Sequence, residues 1–151
     1  MRLTSLTNLR IRLPPLLMLV CISLPGCSSA EDRGADERRA SYASYQEALA
    51  AFQAKRYDAA EAIFTAAIDG GGLNFDILCE AHIKRAVCRA AAGQFDEALA
   101  ELQEVEDHGG DLAAVEAARS FVFRRQRNEA GARAAWVKAR RLNPNIEPYR
   151  D

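Results

Sequence analysis

The chain has 151 residues, 49% of them hydrophobic and 27% charged, which suffices for one ordinary domain with its own core rather than several. The net charge of −1 hides a split: thirteen acidic against five basic residues over 41–112 give −8, and four against nine over 113–151 give +5. An acidic half followed by a basic half bears on partners and orientation, not on the fold.

The first element in chain order is a targeting segment, Met1–Gly26. Arg2, Arg10 and Arg12 supply a positive start, and Leu13–Leu24 is predominantly apolar. That stretch is shorter than the roughly 20 residues a membrane-spanning helix needs, and Pro14 and Pro15 spoil it as a long helix. A short apolar region ending in small residues reads as a secretory signal.

Leu24-Pro25-Gly26-Cys27 resembles the bacterial lipobox, with Pro25 departing from the usual small or aliphatic residue. The resemblance implies cleavage after Gly26 and diacylation of Cys27, which would become the first residue of a membrane-anchored chain. Ser28 after the cysteine implies, in the same terms, the outer membrane. The alternative is an ordinary secretory signal with an incidental cysteine. Two or three acyl chains anchor far more firmly than one, at about 0.8 kcal/mol per buried CH₂. Residues 28–40, SSAEDRGADERRA, are polar and read with Cys27 as a flexible tether over 27–40. Its thirteen residues reach about 45 Å fully extended and roughly 20 Å as a coil, so the domain stays near the membrane.

The remainder, 41–151, contains a repeat. RYDAAEAIFTAAI (56–68), QFDEALAELQEVE (94–106) and NEAGARAAWVKAR (128–140) align at steps of 38 and 34 residues. Tyr57, Ala60, Phe64 and Ala67 fall on one helical face, as do Phe95, Ala98, Leu102 and Val105, and then Glu129, Ala132, Trp136 and Ala139. Twelve positions before each central alanine stands another small residue, Ala48, Ala86 and Ser120, which lets two helices approach closely. The spacing predicts six helices near 40–54, 57–69, 75–92, 95–108, 112–126 and 128–142. Gly70 is expected to end one helix in the left-handed conformation and Asn74 to cap the next; Gly109 and Asp111 repeat the device.

This pattern resembles the tetratricopeptide repeat, with Pro144 where that family usually has its terminal proline. The resemblance covers about residues 41–146, with repeats at about 41–78, 79–112 and 113–146 and a short tail. It implies an all-α fold, a right-handed superhelix of three helix hairpins, an α-solenoid whose first helices line a concave groove. Ser44, His82 and Glu116 stand where the family often has an aromatic residue. On this register the partner-binding positions are Tyr45, Leu49 and Phe52, then Ile83, Val87 and Ala90, then Ala117, Phe121 and Arg124: an apolar track with a basic end. Leu49, Val87 and Phe121 are expected to be exposed there. The other reading of the same pattern is packing of these side chains on their own partner helices. The family's carboxylate clamp is missing, since Tyr45 and Leu49 replace its first Lys and Asn.

No nucleophile–base arrangement, phosphate loop or close carboxylate pair stands out, so the chain reads as a non-enzyme without cofactor. Cys79 and His82 share a helix face but are too few for a metal site, and His108 suits a helix C-terminus. Cys79 and Cys88, about 13 Å apart along one helix, are expected as buried free thiols. Arg124, Arg125, Arg127, Arg140 and Arg141 are either dipole-complementing helix ends or a functional basic patch.

The expected protein is a lipid-anchored, periplasm-facing adaptor of the outer membrane whose partner is another envelope protein, not nucleic acid. The alternatives are a carrier of an acyl chain or apolar small molecule in the groove, and a regulatory subunit of a cell-wall enzyme. The outer side of the last helix exposes Ala130, Ala134 and Val137. The tail, through Ile146 and Tyr149, is expected to cover this strip; a second protein, such as a second copy of the chain, is the alternative.

Overall fold

The computed structural model describes residues 30–150, with side chains from Arg33 onward, so the targeting segment and Cys27 lie outside the described residues. Six α-helices make up the described chain: α1 Ala30–Gln53, α2 Tyr57–Asp69, α3 Phe75–Ala91, α4 Phe95–Asp107, α5 Leu112–Arg125 and α6 Glu129–Leu142. No strand occurs among the described residues. The fold is all-α.

Five helices lie within about a residue of their expected bounds. The exception is α1, which starts at Ala30, so most of the stretch expected as a flexible tether is helix. Two features explain the correction. The segment is rich in Ala, Glu and Arg, all good helix formers, and Arg39 pairs with Asp36 one turn away at 2.7 Å. The loop after α2 also docks on it: a Cβ at Gly72 would come within 2.5 Å of the Arg38 Cα, and the Gly72 N–H donates to Ser41 Oγ at 3.2 Å. The four extra residues of the first repeat step thus form a seat for α1, where only glycine permits the approach.

Each hairpin turns at the same kind of corner. Lys55, Gly93 and Arg127 all have positive φ, at 57°, 89° and 61°, and are separated by the sequence steps of 38 and 34. The next N–H reaches back five residues each time: Arg56 to Ala51 at 3.0 Å, Gln94 to Arg89 at 2.9 Å and Asn128 to Phe123 at 2.8 Å. These are Schellman-type endings. The sequence repeat is therefore also a backbone repeat. Between hairpins the left-handed residue is Gly71, at φ 65°, not Gly70, which stays in the helical region at φ −64°. Gly109 does take positive φ. Asn74 accepts from the Ile77 N–H, and Asp111 from those of Ala113 and Ala114, capping α3 and α5 as expected.

Every helix packs on its neighbours in the chain, and α3 packs in addition on α1 and α5. The core forms two clusters. One centres on Tyr45, Ala48, Ala60 and Phe64 with Ala81 and Cys88; the other on Ile83, Val87, Leu102, Val115, Phe121 and Val122. Because α3 contributes to both, it is the spine of the molecule. The small-residue pairs sit at the crossings: Ala48, Ala60, Ala86 and Ala98 have no exposed surface. In the third hairpin the Ser120 hydroxyl donates to the Ala132 carbonyl at 2.9 Å, a contact that requires close helices. Ala98→Leu is expected to overpack the α3–α4 crossing and to cost about 1–3 kcal/mol. An unchanged melting midpoint would refute the tight crossing.

Candidate functional site

The side chains expected to bind a partner come from α1, α3 and α5, and the structure divides them between the two core clusters: Tyr45 and Leu49 belong to one, Ile83, Val87 and Phe121 to the other, and Phe52 packs on both. Tyr45, Ile83, Val87 and Phe121 are buried, while Leu49, Phe52 and Arg124 are half-buried. Val87 and Phe121 were expected exposed; Val87 instead packs inward and Phe121 keeps 1% of its surface. The reason is local. Val87 lies in the core cluster that α3 builds with α4 and α5, and Phe121 is met from outside by a segment of the chain itself.

That segment follows α6. Asn143 ends the helix, its side chain accepting from the Asn145 N–H at 3.0 Å and its carbonyl from Ile146 at 3.1 Å. Pro144 and Pro148 have no N–H to place in a helix, so the chain continues without regular structure. Tyr149 then packs between α1 and α5. Its ring stands edge-on to Phe52 of α1, centroids 6.2 Å apart at 88°, and to Phe121 of α5, 6.4 Å apart at 72°. Both separations fall within the favourable range for aromatic pairs, about 4.5–7 Å. The Arg124 guanidinium donates to the Tyr149 carbonyl at 2.6 Å while lying over the Phe121 ring, 5.3 Å from its centroid. The Tyr57 hydroxyl donates to the Arg150 carbonyl at 3.3 Å.

Phe52 is the hub. Besides Tyr149 it contacts Tyr57 and Phe64 edge-on, and the Lys84 ammonium lies 5.4 Å from its ring centre. Beside Tyr149 an open cleft of about 430 Å³ continues along α3, lined by Asp76, Glu80, Lys84, Asp111 and Ala114. Burial pushes the Tyr149 phenol above its ordinary value, helped by the negative charges of Glu80 and Asp111. Burial and a hydrogen bond to Glu80 do the same for Tyr45. Both phenols are therefore neutral donors at any physiological pH.

The tail does not cover the outer strip of α6, against expectation. Ala130, Ala134 and Val137 remain exposed, Val137 at 52%. Small side chains offer Tyr149 little area, whereas the opposite face offers two ring edges and an arginine. Trp136, on the same helical face as the buried Ala132 and Ala139, is itself only half-buried; it flanks a surface cleft with Arg140, Pro144 and Ile146.

A second cluster was not foreseen. Glu101 on α4 is 4% exposed and meets two arginines and a histidine at once. His82 Nδ1 lies 2.7 Å from Glu101 Oε1, Arg85 Nε donates to the same oxygen at 2.8 Å, and Arg89 Nη1 donates to Oε2 at 2.9 Å. Arg89 also donates to Glu61, and Arg85 to the Thr65 hydroxyl, which ties α2, α3 and α4 together. Burial alone would raise the Glu101 carboxyl; the hydrogen bonds from His82 and Arg85, with the charges of Arg85 and Arg89, outweigh it and hold the group below its ordinary value. The signal lay in the sequence: Glu101 occupies the buried face set by Ala98, Leu102 and Val105, with arginines four apart on the facing helix.

His108 caps α4 and its Nδ1 meets the Glu104 carbonyl at 2.7 Å, so its place is explained by the helix end. Cys79 and Cys88 are buried free thiols, Cys88 pushed up to about 12 mainly by burial, which makes it a poor nucleophile. Among the described residues no group of His, Cys, Asp and Glu side chains is arranged to hold a metal ion, and no helix is long and apolar enough to cross a membrane. Of the arginines in the third unit, Arg124 serves Tyr149 and Arg125 donates to the Ala91 carbonyl at 2.9 Å. Comparison with family models, curated proteins and solved structures finds no significant match.

Proposed function

We propose that the protein is a lipid-anchored adaptor of the bacterial envelope, a short tetratricopeptide-like solenoid that holds a segment of another envelope protein. The observation that carries this reading is the occupied face: Phe52 of α1 and Phe121 of α5 meet an irregular polypeptide segment with their ring edges, and Tyr57 of α2 and Arg124 of α5 donate to its backbone carbonyls. Among the described residues, helix contacts that stay within one hairpin or pass to the next, together with the recurring corners, support the solenoid arrangement. The lipobox-like Leu24–Cys27 supports an anchor at Cys27 and a periplasm-facing outer-membrane location.

Cys27→Ser is expected to move the protein from the membrane to the soluble fraction, with loss of an acyl mass from the intact protein. A variant that still fractionates with membranes, and a wild type without acyl mass, would remove the anchor. Crosslinking on native membranes followed by purification tests the partner. A co-purified envelope protein joined through α1, α3 or α5 is expected. A co-purified lipid instead would favour carriage of an apolar molecule, for which the cleft of about 310 Å³ at Phe75, Leu78 and Val105 offers a second place.

A further inference from the structure

The segment seated on Phe52, Tyr57, Phe121 and Arg124 is held by features that any polypeptide of the same shape could use. Tyr149 supplies one flat ring, and the contacts around it go to main-chain carbonyls, of Tyr149 itself and of Arg150. Main-chain carbonyls are common to all sequences, so Arg124 and Tyr57 recognise a chain path, while Phe52 and Phe121 recognise an aromatic side chain in it. The segment's own hold is modest. Tyr149 stays half-buried, and the residues on either side of it, Pro148 and Arg150, are half-buried and exposed. The cleft of about 430 Å³ beyond Tyr149 continues the same face towards Asp76 and Asp111 and is left open by the tail, so a longer segment would gain contacts that the tail does not make.

We infer that residues 147–150 are an intramolecular competitor for the partner site: the site's true occupant is an aromatic-bearing, extended polypeptide segment from another protein, and it binds by displacing Tyr149 from between Phe52 and Phe121. This rests on the adaptor reading above and adds to it the partner's chemistry and a built-in limit on affinity. The tail is tethered to α6 by only a few residues, so its effective concentration at the face is high, and a free segment binds only in the fraction of time that the face is open. A site closed for nine-tenths of the time binds about tenfold more weakly than the open one.

The test uses the full chain in detergent and a labelled synthetic peptide of the tail's own sequence, NPNIEPYRD, as the probe. Tyr149→Ala is expected to bind the peptide about tenfold or more tightly than wild type. The same peptide with alanine for its tyrosine should bind neither protein. A second variant guards against misfolding of the first. A flexible glycine–serine insertion between Ile146 and Glu147 keeps every contacting residue but dilutes the tail, and should give a smaller gain. Equal peptide affinity in wild type and both variants, or no peptide binding by any of them, would overturn the proposal. So would a wild-type dimer that Tyr149→Ala dissolves, since the tail would then be exchanged between copies. Displacement of a fluorescent fatty acid, without peptide binding, would overturn it in favour of an apolar ligand. The two readings separate in the membrane crosslinking experiment. A partner crosslinked to this face with equal yield in wild type and Tyr149→Ala would leave the adaptor standing and remove the competitor. Peptide binding enhanced by Tyr149→Ala, with no envelope protein crosslinked, would do the reverse.

Discussion

Glu101→Ala is expected to destabilise the protein by about 3–5 kcal/mol, the usual cost of stranding buried charges by removing their partner. The substitution takes one carboxylate away from Arg85 and Arg89 and from His82, whose side chains are only 12%, 25% and 25% exposed. Arg89 would keep Glu61, and Arg85 the Thr65 hydroxyl, so the loss falls short of two fully orphaned guanidiniums. Denaturant unfolding of wild type and variant measures the difference; a cost below about 1 kcal/mol, the range of exposed ion pairs, would show that the network contributes little.

The same carboxylate sets an acid limb. The folded protein holds Glu101 below its ordinary value, so the unfolded chain takes up the proton first as pH falls. Its stabilising contribution is then fully present above the ordinary carboxylate range, about 4.3, and is lost as pH falls through the lower folded value. Glu101→Gln is expected to flatten that part of the stability profile, and an unaltered slope would assign the acid limb to other groups.

Phe121→Ala is expected to cost about 3–5 kcal/mol, as large-to-small changes of a buried aromatic do, and to free the tail as well. The ring is packed in the core cluster of α3, α4 and α5 on one side, and on the other it supports Tyr149 and the Arg124 guanidinium. Two readouts follow. The melting midpoint should fall, and limited proteolysis should cut after Tyr149 or Arg150 faster than in wild type. Phe121→Leu retains most of the apolar volume, so it should cost less while still removing the ring edge that Tyr149 meets. A Leu variant with a protected tail would show that Arg124 and Phe52 hold Tyr149 without it.

Much of the architecture was legible in the residues because it depends on short-range rules. Alanines and aromatics at i, i+3 and i+7 place themselves on one helical face whatever surrounds them, which is why five helices came out nearly where expected. The left-handed corners at Lys55, Gly93 and Arg127 keep the steps of 38 and 34, but only the structure reveals them, and two of the three are not glycine. Asn74 and Asp111 cap because their side chains reach N–H groups only two or three residues away. Local readings failed at Gly70, where the left-handed residue is one later, and over 30–40. That stretch has no apolar pattern to mark a helix, yet becomes one where the Gly72 loop packs on Glu37 and Arg38.

The sequence by itself determined an all-α chain of helix hairpins, its period, its caps and the small residues at its crossings, because each depends on contacts within a turn or two of helix or on a repeated spacing. It also supplied the lipobox resemblance, which lies outside the described residues. Only the tertiary structure decided that Glu101 meets Arg85 and Arg89, and that Tyr149 crosses to Phe52 rather than covering the outer side of α6. Those pairings join residues between 12 and 97 positions apart. Helical spacing puts Glu101 on a buried face and Arg85 and Arg89 on one side of α3, but it does not say which helices face each other, nor to which side of the last hairpin the residues after α6 turn. The tail's course is set by where the ring edges of Phe52 and Phe121 and the Arg124 guanidinium converge, which depends on how α1 and α5 are placed by the stack.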